Sequence, residues 1–206
     1  MTDWNALLAE QELPLDRNQL SLVVKFLTLL HKWTAITNLV ATSTTPRDLV
    51  ELHLADSLAL LPHLGDAERL IDVGSGGGLP GLVLAIAAPD RAVTAIEPIH
   101  KKHAFLAAAR RELGLANFTS LPERDDQHRA RPDFRPFDLA VSRAVFAPAT
   151  WLERGAQLVR PGGRVLAMEG REPIDLPESA TRHPYHLADR ERAILVWTPP
   201  SKPEPT

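Results

Sequence analysis

The stretch Leu70-Ile71-Asp72-Val73-Gly74-Ser75-Gly76-Gly77-Gly78-Leu79-Pro80-Gly81 constrains this chain more than any other. A short apolar run, Arg69–Val73, ends in a glycine loop, and a helix is predicted over Gly81–Ala88. Glycine tolerates positive φ and lets a backbone approach a ligand closely. Strand, glycine loop and helix in that order open an α/β sheet whose ligands sit outside the carboxyl ends of parallel strands. Glu97 closes the next strand-like run, Ala92–Glu97, where an acid can accept from ribose hydroxyls. An adenine-containing cofactor is the expected ligand, and the alternative is a ligand-free glycine turn.

The rest of the chain agrees with that start. Phe118–Leu121, Phe137–Ser142 and Arg164–Met168 read as further strands. Lys101–Leu113 and Ala149–Val159 read as helices between them. Alternating strands and helices predict βαβ units and a parallel sheet. Tyr185–Ala188 and Ala193–Thr198 flank the polar Asp189–Arg192 and predict an antiparallel hairpin. Before the sheet, Asp16 can cap a helix with Leu20, Val23, Val24, Leu27 and Leu30 on one face. A shorter amphipathic stretch holds Trp4, Leu7 and Leu8, and Thr45-Pro46 starts another helix, running to Pro62 or Gly65. The expected fold is a doubly wound, Rossmann-like α/β sheet with an antiparallel C-terminal hairpin. Its expected parts are a helical extension over 1–66, a cofactor-binding domain over 67–198 and a disordered Pro-rich tail over 199–206.

Composition removes several function classes. The 206 residues contain no Cys, which excludes a disulfide framework, a thiolate zinc site and a Cys nucleophile. The eight His show no H-x-x-x-H spacing, so no metal site is expected. No apolar run reaches the roughly 18 residues of a membrane span, and no signal peptide is expected, since Met1 to Glu10 lacks basic residues and an apolar stretch. A cytoplasmic monomer is expected. The net charge of −3 argues against coating nucleic acid by bulk charge. It leaves room for a local basic face: His100, Lys101, Lys102, His103, Arg110 and Arg111 lie on one predicted helix, and Arg124, Arg129, Arg131 and Arg135 follow.

Two frames are open for the glycine loop. Gly76, Gly78 and Gly81 satisfy the dinucleotide pattern G-x-G-x-x-G of a nicotinamide dehydrogenase, but that frame starts two residues late. Asp72-x-Gly74-x-Gly76-x-Gly78 follows the strand directly and resembles motif I of Rossmann-like S-adenosylmethionine-dependent methyltransferases. An acid before the first glycine adds like charge to a pyrophosphate, whereas it suits an ammonium and a sulfonium.

Further strings make the resemblance specific. Thr37-Asn38-Leu39, His53-x-x-Asp56-Ser57-Leu58, the glycine loop, Lys101 with Phe105-Leu106, and Ser142-Arg143-Ala144 occur in that order. Over about residues 20–170 the chain resembles the ribosomal RNA small-subunit methyltransferase G family, also called glucose-inhibited division protein B. The resemblance implies methyl transfer from S-adenosyl-L-methionine to guanine N7 of 16S rRNA, as naked RNA or in the small ribosomal subunit. A small-molecule methyltransferase of the same fold is the alternative. The implied cofactor contacts are Gly74, Gly76, Gly78 and Leu79 in the loop, Glu97 at the ribose, and Asp125 with Asp126 at the adenine. Arg143 is the implied essential arginine, near cofactor and target. Its structural alternative is an ion pair with Asp72 or Glu97. His53 is either an RNA contact or a hydrogen-bonded core histidine; Asp56 and Ser57 are expected to hold the extension against the sheet; Trp33 and Trp151 read as core.

Two positions depart from the family pattern. Val145 follows Ser142-Arg143-Ala144 where the family has Phe, and Glu169 stands before Gly170 where it has Lys. The second reverses a charge beside the implied site. The chemistry itself asks little of the side chains. Guanine N7 carries an in-plane lone pair, so no general base is needed. The requirement is alignment of base and methyl sulfonium.

Overall fold

The computed structural model describes residues 2–169, 177 and 179–200. The chain opens with α1 (Trp4–Ala9) and α2 (Arg17–Thr34). Asp16 caps α2 as expected: its carboxylate accepts from Gln19 N–H, and the Gln19 side chain accepts from Asp16 N–H. Val23, Phe26, Leu27 and Leu30 form the buried face, while Leu20 and Val24 are only partly covered.

The helix expected to run from Pro46 is segmented. It consists of α3 (Pro46–Asp48, capped by Thr45), a π-helical segment (Leu49–Leu54), α4 (Ala55–Leu58) and a 3₁₀ turn (Leu61–His63). Apolar spacing cannot separate these forms, because all bury one stripe.

The α/β part runs β1 (Arg69–Val73), α5 (Gly81–Ala87), β2 (Ala92–Ile96), α6 (His100–Leu113), β3 (Phe118–Leu121), α7 (Asp125–Arg129), β4 (Phe137–Arg143), α8 (Pro148–Gly155), β5 (Val159–Glu169), β6 (Ala180–Leu187) and β7 (Arg190–Trp197). The strand order is β3-β2-β1-β4-β5-β7-β6. The first five strands are parallel, and β7 pairs antiparallel with both β5 and β6. The order reverses between β1 and β4, which places the crevice beside the end of β1.

The central strands are buried on both faces, with successive side chains facing opposite cores. Leu70, Leu139, Val141 and Leu166 face a core shared with α2, α5 and α6. Ile71, Ala140, Val165 and Ala167 face a second core with Trp151 and Leu152 of α8. The first core is continuous from Trp4 to Ile194, so residues on either side of position 66 pack together. Trp33 meets Phe105 edge-on, and Trp151, buried, donates to Leu166 O at 2.7 Å.

The α8–β5 junction and the hairpin turn differ from the sequence expectation. Helix α8 ends at Gly155 because Val159 already starts β5, which carries Pro161-Gly162-Gly163 within its length. The hairpin turn is two residues, Ala188-Asp189, since Arg190–Arg192 pair with Leu187–Tyr185 instead of forming a loop. Of the tail, only Pro199 and Pro200 are among the described residues.

Candidate active site

The end of β1 is tied on both sides. Gly74 N–H donates to Ile96 O of β2 at 2.8 Å, and buried Ser142 of β4 donates through Oγ to Val73 O at 2.8 Å. Gly74 has φ +74°, and a Cβ there would lie 2.4 Å from Cγ2 of Val145. The loop therefore needs glycine for both conformation and space. Gly76, at φ +51°, differs: a Cβ there would meet only Gly74 O, at 3.8 Å, so this part of the loop faces open space in the crevice.

The loop N–H groups are turned inward. Gly76 N–H donates to Glu97 Oε2 at 3.0 Å, and Gly78 N–H to Ser75 O at 2.7 Å. Gly81 N–H, at the start of α5, donates to Asp72 Oδ2 at 2.9 Å, and Ser75 Oγ bonds the same oxygen. In a dinucleotide site that helix-start donor would meet a pyrophosphate. Here a carboxylate already occupies it. Asp72 is fully buried, burial raises its pKa to about 6, and its Oδ1 has no hydrogen-bond partner. A buried, unpartnered carboxylate oxygen beside an open glycine loop suits a cationic ligand end and opposes a phosphate.

Glu97 is 4% exposed and also accepts from Ile99 N–H at 2.9 Å. Each carboxylate oxygen has a second lone pair, so ribose hydroxyls can still be accepted. Ile99 beside it is 52% exposed, an apolar surface next to the acid. Leu79 is buried in the core, so any cofactor contact it makes is through its main chain.

Asp125 and Asp126 separate clearly. Asp125 is buried, and Arg154 of α8 grips both its oxygens at 2.7 and 2.8 Å while stacking 4.9 Å from the Phe146 ring centroid. Asp126 is exposed, and its Oδ1 accepts from Gln127 N–H. Both sit at the carboxyl end of β3, the edge that carries the glycine loop.

Arg143 ends β4 and is ion-paired, but with neither Asp72 nor Glu97. Its Nη1 donates to His53 Nδ1 at 3.1 Å and lies 3.4 Å from Asp56 Oδ2. The partners come from the helical extension, which sequence spacing could not bring to β4. Asp56 joins extension to sheet as expected, whereas Ser57 Oγ bonds His53 O within its own segment. The next residue, Ala144, has φ +57°, a conformation non-glycine residues rarely adopt outside turns and functional sites. The Glu169 side chain lies outside the described residues. Among the described residues no cluster of three metal-ligating side chains occurs, and no helix is long and apolar enough to cross a membrane.

The basic residues divide between the two sheet edges. His100, Lys101, Lys102 and Arg124 follow the carboxyl ends of β2 and β3, on the crevice side. Arg110 and Arg111 end α6, and Arg135 precedes β4, so these lie at the opposite edge. Arg131 is paired with Asp133 at 3.0 Å.

Solved structures share this fold. A methyltransferase from Geobacter sulfurreducens superposes with TM-score 0.58 at 14% identity, covering 93% of both chains. Cofactor-bound Rv0187 from MTB superposes with TM-score 0.61 at 15% identity, covering 96% of both. Sequence relatives are much nearer. A protein of Aromatoleum aromaticum named ribosomal RNA small subunit methyltransferase G is 47% identical over 82% of this chain and 80% of its own length. The family model for rRNA small subunit methyltransferase G matches residues 19–192. The chain belongs to the rRNA small subunit methyltransferase G family.

Proposed function

We propose that this protein transfers the methyl group of S-adenosyl-L-methionine to N7 of a guanine in 16S rRNA, acting in the cytoplasm as a monomer on the RNA or the small ribosomal subunit. Family membership over residues 19–192 carries the reading. The inward-turned loop N–H groups and buried Asp72 support the cofactor class.

The cofactor supplies a methyl group made electrophilic by a sulfonium. The loop Gly74, Gly76, Gly78 and Leu79 bounds its amino-acid end, with Asp72 behind the loop drawing an ammonium. Glu97 accepts from the ribose, and Asp125 and Asp126 border the adenine. Of these two, Asp126 offers its carboxylate to solvent, while Asp125 acts through its main chain or after releasing Arg154. Guanine N7 attacks with its own lone pair, so the protein moves no proton on the reacting nitrogen. The product base gains positive charge, which a guanidinium would not stabilise. Arg143 therefore positions: its planar donor fork fits guanine O6 or a phosphate.

The test is to map N7-methylguanine in 16S rRNA with and without the gene. Labelled methyl transfer into naked rRNA and isolated small subunits then identifies the substrate. Loss of one N7-methylguanine in the deletion supports the reading. Absence of incorporation into either substrate overturns it in favour of a small-molecule methyltransferase. Calorimetry with S-adenosylhomocysteine and with NAD checks the cofactor class, and binding of NAD alone overturns it.

A further inference from the structure

Behind Arg143, side chains from four parts of the chain meet. His53 and Asp56 stand three apart where the π-helical segment passes into α4, a spacing that puts both on one face. Tyr185 comes from β6 and Arg192 from β7. Tyr185 donates to Asp56 Oδ1 at 2.5 Å, and Arg192 Nε lies 3.8 Å from the same oxygen. Ser57, fully buried, donates to the carbonyl of His53 at 2.8 Å and fixes that residue's backbone. π-helical turns within α-helices are frequent at functional sites.

Asp56 cannot aim Arg143 alone. It is shared with Arg192 and Tyr185, and its distance to Arg143 Nη1 is the longer of the two contacts. The shorter contact is to His53. An arginine N–H can only donate, so His53 Nδ1 must present its lone pair, with the ring proton on Nε2. Burial first, and then the charge of Arg143, push His53 down to about 4. Arg192 acts in the same direction, while Asp56 and Asp48 oppose it. The ring is therefore neutral at the pH of the cell interior. Two guanidiniums share one carboxylate, and a neutral histidine leaves that surplus positive charge in place. A second carboxylate would cancel the surplus and compete with an RNA phosphate.

We propose that His53 is a positioning residue for methyl transfer: its neutral imidazole accepts Nη1–H of Arg143 and leaves the Nε–Nη2 edge of that guanidinium for the RNA. This rests on the reading of Arg143 given under Proposed function. Both contacts seen on Arg143 fall on Nη1, as the assignment requires.

The experiment compares His53→Asn, whose Oδ1 can replace Nδ1 as acceptor, with His53→Leu, which has none. Steady-state methylation is measured on small subunits, each variant also in an Arg143→Ala background. His53→Leu is expected to lower kcat roughly tenfold, the size of one hydrogen bond to a charged group, with little change in KM. His53→Asn should recover most of that loss, and His53→Leu should add nothing once Arg143 is Ala. Equal damage by Asn and Leu, full activity of His53→Leu, or multiplicative losses with Arg143→Ala would each overturn the assignment. A second readout needs no activity. Imidazole ¹⁵N spectra of the wild type should show the Nε2–H tautomer with no titration of His53 from pH 5 to 8, and Arg143→Ala should raise its midpoint. Titration of wild-type His53 near 6.5 overturns the inference. If the wild type methylates no rRNA, the functional reading fails while the spectra still decide the contact.

Discussion

At the residue scale, two charged side chains stand out in the candidate site, and their environments have opposite characters. Asp72 is a carboxylate in a place that disfavours its charge. Burial raises its pKa from 3.8 to about 6, so the folded state keeps a proton that the unfolded chain gives up. Asp72 is thus most compatible with the fold below about pH 4, and its contribution falls as pH rises to about 6, then levels. Asp72→Asn has no such ionisation. Melting of the two proteins across pH 4 to 7 should show the wild type losing on the order of 2 kcal/mol relative to the variant over that window. A constant difference would show that Asp72 does not titrate there. Affinity for S-adenosylhomocysteine should move the other way, rising with pH as the carboxylate charges. Arg143 is the second residue. Arg143→Ala should lower methylation about 100-fold, and Arg143→Lys should recover little, because a point charge cannot reproduce a planar fork. Methylation by Arg143→Ala at the wild-type rate would remove it from the site. The string Ser142-Arg143-Ala144 makes Arg143 a candidate from the sequence alone. Its partner is not legible there, because Asp56 lies 87 residues away and pairing is decided by how the extension docks.

At the element scale, the β-strands were read well and the irregular segments less so. Strands β1 to β4 are short, largely apolar runs that end in turn chemistry, and local pattern suffices to find them. The π-helical segment over Leu49–Leu54 was invisible, since one extra residue in a turn leaves the apolar stripe intact. The short hairpin turn escapes local pattern because polar residues can sit at the end of an inner strand: Arg190, Glu191 and Arg192 of β7 look like a loop yet pair with β6. That turn places Ala188 at φ +49°. A left-handed alanine costs roughly 1–2 kcal/mol that glycine does not pay, partly offset by the greater chain entropy of glycine. Ala188→Gly should therefore raise stability by about 0.5–1 kcal/mol in denaturant unfolding, with activity unchanged. A loss of stability would show that the turn is not the one described.

At the scale of the whole molecule, the proposed function asks a chain of net charge −3 to hold a polyanion. Sheet topology sorts the basic residues between two edges. His100, Lys101, Lys102 and Arg124 fall on the crevice edge, while Arg110 and Arg111 fall about 14 Å from Lys101 and Lys102, toward the other end of α6. Lys101→Glu with Lys102→Glu should weaken small-subunit binding about tenfold at low salt and flatten its salt dependence, leaving S-adenosylhomocysteine affinity intact. The same reversal at Arg110 and Arg111 should change neither. Equal effects of the two pairs would mean that charge acts diffusely and that the crevice edge is not the RNA face.

The sequence by itself determined the sheet class, the loop frame and the family, because these rest on neighbours in the chain: a strand that ends at Val73, an acid before Gly74, an acid at Glu97. Tertiary structure alone decided which groups those residues meet. It put Asp72 on the N–H of Gly81, gave Asp125 to Arg154 and left Asp126 in solvent, and set His53 and Asp56 behind Arg143. Periodicity encodes which face of an element is buried. It does not encode which element covers that face, and the site is assembled from contacts between faces that lie far apart in the chain.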